Sequence, residues 1–171
     1  TASGKSLMIY SLVRYHVERG QNTLIVVPTT SLVEQMYKDF ADYGWDVGSF
    51  CHKIYAGRER ETNSQVIITT WQSIYKLPRK YFERFNVVVG DEAHQFKSKS
   101  LISIMSKLAD AKYRFGFTGT LDGTQTHKWV LEGLFGPSYK IIRTEELMAK
   151  GHVAKLDINV LLLKHPAHKF E

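Results

Sequence analysis

The first six residues of this 171-residue chain, TASGKS, carry side chains suited to binding phosphate. They have the form of the back end of a phosphate-binding loop, G-x-x-x-x-G-K-[ST], whose first glycine would lie just before Thr1. Ser3 lies in the loop, Gly4 lets the backbone amides curl around an anion, and Lys5 places a cation on the terminal phosphates. Ser6 would offer its hydroxyl to magnesium. A Gly-Lys-Ser triplet by itself is also common in loops that bind nothing.

A second group of residues that could take part in catalysis is the segment Asp91-Glu92-Ala93-His94, which follows the apolar stretch NVVVG. In an open α/β sheet a ligand lies beyond the carboxyl ends of the strands, so Asp91 should emerge where the phosphate loop also emerges. Asp91 would hold magnesium, usually through water, and Glu92 would orient or deprotonate a water attacking in line at phosphorus. Two adjacent acids could instead begin an ordinary helix and complement its dipole. The phosphate loop in the same chain favours the metal and water roles.

The segment Thr118-Gly119-Thr120 follows the next predicted strand along the chain. Its hydroxyl groups could bond His94 and so connect the acidic segment to whatever polymer lies over the edge of the sheet. The segment could also be a plain turn.

The elements that must position these groups alternate between apolar strands and helices. The predicted strands are Thr23 to Val27, Val66 to Thr69, Asn86 to Gly90 and Arg114 to Thr118. The predicted helices are Lys5 to Arg19, Ser31 to Tyr43, Lys99 to Ala109 and Thr124 to Leu134, with Ser31 and Thr124 as N-caps. Repeated strand-then-helix units predict a parallel α/β sheet with right-handed crossovers. Alternation from Leu156 to Leu162 predicts a further strand that leaves this sheet.

Length, charge and cysteine content limit the class of protein, but they do not identify a ligand. A chain of 171 residues has the length of a single domain. The net charge of +6 suits a polyanionic partner, but a modestly basic cytosolic protein would carry it too. The single cysteine, Cys51, excludes an internal disulfide and fits a reducing, cytoplasmic compartment. No apolar run approaches the roughly 18 residues that span a bilayer, so we expect no membrane partner.

The order GKS, PTTSLVEQ, TTWQS, DEAH, TGT resembles the first RecA-like lobe of superfamily two nucleic-acid helicases and translocases. The resemblance implies a three-layer α/β lobe with a mainly parallel sheet, which uses ATP and Mg²⁺. It also implies that residues 1–155 form this lobe without its first strand. Residues 156–171 would be a strand and linker toward a second RecA-like lobe of the same protein. The catalytic residues would be Asp91, Glu92 and His94, with Thr118, Gly119 and Thr120 coupling the nucleotide to the DNA.

The same resemblance places nucleic acid on two segments that contact one strand, mainly through its phosphates. The residues concerned are Pro28, Thr29, Thr30, Gln35, Thr70, Trp71 and Gln72. The chemistry agrees, because threonine and glutamine side chains at strand ends and helix starts can donate to phosphate oxygens. A protein that contacts the backbone rather than base edges can move along any sequence. For Trp71, packing in the core is favoured over stacking on a base.

The function implied is that of a DNA helicase motor lobe, coupling ATP hydrolysis to the unwinding or remodelling of branched DNA in recombination, repair and replication. Catalysis in such motors needs an arginine from the second lobe, so the 171-residue chain alone should turn over ATP slowly or not at all. Two alternatives remain open. One is a duplex translocase of restriction or remodelling type without strand separation, and the other is a non-catalytic DNA-binding module.

Overall fold

The computed structural model describes residues 4–55, 62–96, 98–119 and 125–139, together with Glu146, Lys150 and Gly151. The elements in that part of the chain are α1 (Lys5–Val17), β1 (Thr23–Val27), α2 (Thr30–Asp42), α3 (Val47–Phe50), β2 (Cys51–Ile54), β3 (Val66–Thr70), α4 (Trp71–Ile74), α5 (Arg79–Phe82), β4 (Val87–Asp91), a 3₁₀ turn (Ala93–Gln95), α6 (Lys99–Lys107), β5 (Tyr113–Phe117) and α7 (Gln125–Phe135). Ser3, Thr120, the predicted cap Thr124 and residues 156–171 lie outside the described residues.

The five described strands form one sheet in the order β2-β3-β1-β4-β5, and every pairing in it is parallel. The predicted parallel α/β fold is therefore confirmed. Because the strands run the same way, their carboxyl ends share one edge: Val27 pairs with Thr70, and Asp91 pairs with Phe117. This edge carries the residues that the sequence motifs single out.

Side chains from both faces of the sheet build two core clusters, which is why the strands read as continuous apolar runs. In β1, Ile25 and Val27 join the cluster that contains α1 and α2 residues, whereas Leu24 and Val26 join the cluster with α6 residues. All four are at most 1% exposed. Burial of each such side chain contributes about 1.5–3 kcal/mol. Together the sheet and its two helical faces make three layers.

The structure corrects one sequence expectation and adds one strand that was not expected. Helix α2 begins at Thr30 with Thr29 as its N-cap, not Ser31, because the Thr29 hydroxyl accepts a hydrogen bond from the Leu32 amide at 3.3 Å. Strand β2 was not predicted. Its central residues His52 and Lys53 are only half-buried and polar, so its sequence lacks the apolar run that marked the other strands.

The chain divides into two compact units, Ser3–Tyr139 and Lys140–Glu171. The sheet belongs to the first unit. In the second, the Lys150 amide donates to the Glu146 carbonyl at 3.1 Å, as in one helical turn. The domain boundary expected near residue 155 stays a prediction. Among the described residues, no helix is both long and apolar enough to cross a membrane.

Cys51 begins β2 and is 5% exposed, and burial raises the pKa of its thiol from 9.0 to about 12. We expect alkylation of Cys51 near pH 8, followed by mass spectrometry of its peptide, to be far slower in the native protein than in urea. Equal rates would contradict its burial. Because the thiol ionises at lower pH in the unfolded chain than in the folded one, the free energy of unfolding falls as the pH rises above 9.0, and this loss is complete near pH 12.

Candidate functional site

Lys5 stands at the point where α1 meets the carboxyl edge of the sheet. Gly4 precedes it with φ 66°, a left-handed conformation that glycine adopts without strain and that turns the chain into α1. The Lys5 side chain is only 9% exposed, and its Nζ lies 2.9 Å from Asp91 Oδ1 and also donates to Glu92 Oε1. The lysine of the phosphate-loop motif and the acid pair of DEAH are thus in contact, although Lys5 and Asp91 are 86 positions apart in the sequence.

The charges of this cluster compensate one another. Burial acts to lower the pKa of Lys5, but the hydrogen bond that Lys5 donates to Glu92 and the negative charges of Asp91 and Glu92 outweigh it, and the net shift is upward. Lys5 therefore stays an ammonium at neutral pH and can offer its charge to an anion. A bound triphosphate would compete with the two carboxylates for it.

Asp91 is the last residue of β4, and its side chain is 6% exposed. Its Oδ1 lies 2.9 Å from Lys5 Nζ as an ion pair and accepts no hydrogen bond from any described residue. The contact with Lys5 is therefore electrostatic, and lone pairs of Oδ1 stay without a donor. A buried carboxylate oxygen of this kind fits a hard divalent cation such as Mg²⁺.

Glu92 has φ 51° and ψ 52°, and it is the only non-glycine residue in the described ranges with a positive φ. A glutamate in this region costs on the order of 1–3 kcal/mol, and such costs concentrate at functional sites. The conformation turns the chain from β4 into the 3₁₀ turn at Ala93. The Glu92 side chain is 27% exposed, so a water molecule can reach it.

His94 joins the acid pair to the end of β5. Its Nδ1 lies 3.4 Å from Glu92 Oε2 and 2.9 Å from the Thr118 hydroxyl. The sequence predicted the bond between His94 and the threonine-glycine-threonine segment, and the structure shows it at Thr118. Gly119 follows as an exposed residue. Side chains from α1, β4 and the end of β5 therefore form one connected chain of polar contacts.

Ser6 faces a different partner from the one that its motif suggests. Its hydroxyl donates to Asp39 Oδ2 of α2 at 2.5 Å, and among the described contacts none joins Ser6 to Asp91. The metal-binding role predicted for Ser6 with Asp91 is not tested by these contacts. Sequence reasoning missed Asp39 because it lies inside an amphipathic helix and belongs to none of the motifs.

The residues predicted to touch nucleic acid lie at the ends of β1 and β3 and the starts of the following helices. Thr29, Thr30, Gln35 and Gln72 are exposed, and Pro28 is half-buried. Thr70 is different, because it is 4% exposed and its hydroxyl shares a hydrogen bond with Ser73 at 2.9 Å. A direct contact of the Thr70 side chain with phosphate would require that bond to open.

Trp71 begins α4 and packs against the core cluster on the α6 side of the sheet. Its ring also lies 6.0 Å from the ring of Tyr75. These contacts support the packing role that the sequence favoured for this side chain.

Lys107, at the end of α6, fixes the chain that follows α4. Its Nζ donates to the carbonyl oxygens of Tyr75 at 2.6 Å and Leu77 at 2.9 Å. We expect Lys107→Met to lower the free energy of unfolding by about 1.5–3 kcal/mol, because hydrogen bonds from a charged group are lost. Urea unfolding and hydrogen exchange of the α4 amides measure this. Lys112→Met, at an exposed lysine, is the control, and an equal effect there would contradict the prediction.

Comparison with known proteins identifies the class to which this lobe belongs. Residues 1–123 match the family described as type III restriction enzyme, res subunit, and the chain belongs to that family. Its fold and motif order are those of the first RecA-like lobe of a superfamily two helicase.

Particular relatives make the similarity more specific. The chain is 35% identical to the ATP-dependent DNA helicase UvsW of Enterobacteria phage T4, over 97% of this chain and 34% of UvsW. The segments KSLISIMSKL, FGFTGT, LFGP and ELMAKGHVAKLDINV carried the resemblance to UvsW in the sequence. A UvsW crystal structure superposes with a TM-score of 0.70 at 36% identity, covering 80% of this chain and 50% of that one.

Two more distant proteins extend the comparison. The DNA 3'-5' translocase XPB2 of Sulfurisphaera tokodaii is 31% identical over 81% of this chain and 30% of its own length. The Hef helicase domain of Pyrococcus furiosus shares the fold, with a TM-score of 0.68 at 20% identity, over 81% of this chain and 33% of that one. The chain spans about a third of the length of the curated relatives that it matches.

Proposed function

We propose that the protein containing this lobe is an ATP-dependent DNA helicase that unwinds or remodels branched DNA in recombination, repair and replication. The observation that carries the proposal is the contact of Lys5 with both Asp91 and Glu92 at the carboxyl edge of a parallel sheet. A phosphate-binding cation and two carboxylates within one cluster are what phosphoryl transfer with a divalent ion requires. The similarity to UvsW supports DNA as the polymer.

In this proposal each residue of the cluster has a distinct task. Lys5 leaves the carboxylates and binds the terminal phosphates of ATP, and Gly4 and Ser3 supply backbone amides around them. Asp91 and Ser6 would hold Mg²⁺, which stabilises the charge on the transferring phosphoryl group. Glu92, released from Lys5, orients and deprotonates the attacking water.

Coupling to DNA would run through His94. Its bond to Thr118 connects the residue beside the catalytic glutamate to the segment of Gly119 and Thr120. Exposed Thr29, Thr30 and Gln72 at the same edge of the sheet would contact the phosphates of one DNA strand. A second RecA-like lobe of the same protein would supply the arginine that completes the site. A cytoplasmic location is part of the same proposal.

The test is strand displacement by the full-length protein on a forked duplex that carries a fluorophore and a quencher. Separation that requires both ATP and Mg²⁺ is the expected result. ATP hydrolysis that DNA stimulates, without strand separation, would instead identify a duplex translocase, the alternative that the similarity to XPB2 favours. DNA binding that ignores nucleotide, with no hydrolysis, would overturn both and leave a non-catalytic DNA-binding module.

A further inference from the structure

The hydroxyl of Ser6 is bound by a carboxylate that none of the sequence motifs contains. Ser6 Oγ donates to Asp39 Oδ2 at 2.5 Å, and the pair is partly buried between α1 and α2. A serine hydroxyl has one proton to donate and two lone pairs that accept. With the proton directed to Asp39, the two lone pairs are the part of the hydroxyl left to bind a cation.

Helix α2 is held firmly enough against α1 to make this contact specific. The ring of Tyr10 in α1 lies 5.6 Å from the ring of Phe40, and its hydroxyl donates to the Tyr43 carbonyl at 3.3 Å. Phe40, the neighbour of Asp39, is fully buried. The position of the Asp39 carboxylate is therefore fixed by the packing of the helix that carries it.

The charge at Asp39 adds to this geometric effect. Lys5, the cation next to Ser6 in the sequence, binds Asp91 and Glu92 through its Nζ and not Asp39. A partner that orients a metal ligand and raises its basicity commonly contributes 10–100-fold to metal affinity. An anion bonded to the Ser6 hydroxyl has both properties.

We propose that Asp39 is a positioning residue, which orients the Ser6 hydroxyl oxygen toward the magnesium ion of a bound nucleotide. The inference rests on the proposed function, because it needs a Mg²⁺-nucleotide at Ser6. It also links two regions. Helix α2 starts at Thr30, in the proposed DNA contact, and Asp39 lies nine residues further on, about 14 Å along the helix axis. Helix α2 would thus connect the proposed DNA contact at Thr30 to the carboxylate that orients Ser6.

The test is equilibrium binding of a fluorescent, non-hydrolysable ATP analogue to the full-length protein, titrated with Mg²⁺. We expect Asp39→Ala to raise the Mg²⁺ concentration for half-maximal binding about tenfold and to leave Mg²⁺-free binding unchanged. Asp39→Asn should give a smaller shift, because its amide oxygen still accepts from Ser6 but carries no charge. Asp42→Ala, which removes an exposed carboxylate from the same helix, is the charge-matched control and should give no shift.

A Ser6→Ala background separates positioning from a general effect on the fold. In that background Asp39→Ala should cause no further shift, because the hydroxyl that it orients is absent. An equal shift in both backgrounds, or a shift below twofold for both Asp39 variants, would overturn the inference while leaving the proposed function intact. If the unsubstituted protein binds no nucleotide with or without Mg²⁺, the proposed function is wrong and the inference falls with it. Thermal unfolding verifies that the variants fold, and Asp39→Asn serves if Asp39→Ala does not.

Discussion

Glu92→Gln is expected to lower DNA-stimulated ATP turnover by the full-length protein by about 10²–10⁴-fold, the usual contribution of a general base. Glutamine keeps the shape of the side chain and an oxygen that can accept from Lys5, but it cannot take a proton from water. Binding of ATP should therefore stay close to that of the unsubstituted protein. Steady-state hydrolysis and equilibrium binding of an ATP analogue measure the two effects separately.

The control for this substitution is Glu83→Gln, at an exposed glutamate that follows α5. It makes the same chemical change away from the cluster and should leave turnover unchanged. Lys5→Ala complements it, since loss of the phosphate-binding cation should weaken ATP binding as well as hydrolysis. Turnover of Glu92→Gln within a few-fold of the unsubstituted protein would remove Glu92 from the role of general base.

Gly90→Ala is expected to destabilise the lobe by about 1–3 kcal/mol, the cost of overpacking a filled core. A Cβ at Gly90 would lie 2.7 Å from Phe96 Cζ, 2.9 Å from Phe96 Cε2 and 3.0 Å from Phe135 Cζ. Phe96 is 2% exposed and its ring packs edge-on against Phe135 at 5.1 Å, so the Phe96 ring has little room to move away. Urea unfolding and hydrogen exchange of the β4 amides measure the loss.

Gly48→Ala is the matched control, because a Cβ there would come no closer than 3.6 Å to its nearest neighbour, an oxygen of Asp46. It should change stability by less than about 0.5 kcal/mol or improve it slightly. A second variant tests the cause. Adding Phe96→Leu to Gly90→Ala removes the ring atoms that clash, and should recover part of the loss. A Gly90→Ala protein as stable as the unsubstituted one would show that the rings yield at no cost.

Strands and their order along the chain could be predicted wherever apolar β-branched residues follow one another. Thr23–Val27 was predicted with its observed bounds, because both faces of β1 are covered and every position is buried. Strand β2 could not be found this way. It lies at the edge of the sheet and mixes polar with apolar residues, so its sequence resembles a loop.

The contact between Lys5 and the acid pair was predictable for a topological reason. In a parallel α/β sheet, loops that leave the carboxyl ends of the strands share one edge, and a motif on each of two loops is enough to place them together. The bond between Ser6 and Asp39 was not predictable, because it depends on how two helices pack side by side. Helix packing of this kind is set by ridges, grooves and side-chain volumes, and no short sequence pattern records it.

The place of β1 in the middle of the sheet also bears on how the chain acquires its structure during synthesis. β1 is the first of the described strands to be translated, yet both of its partners, β3 and β4, come much later in the sequence. The ribosome must therefore release the chain as far as Asp91 before β1 can be paired on both sides, which at about 5–20 residues per second leaves it exposed for several seconds. Pairing between such distant segments is slow because loop closure precedes the contacts that reward it. During that interval the apolar residues of TLIVV are a target for chaperones and a risk for aggregation.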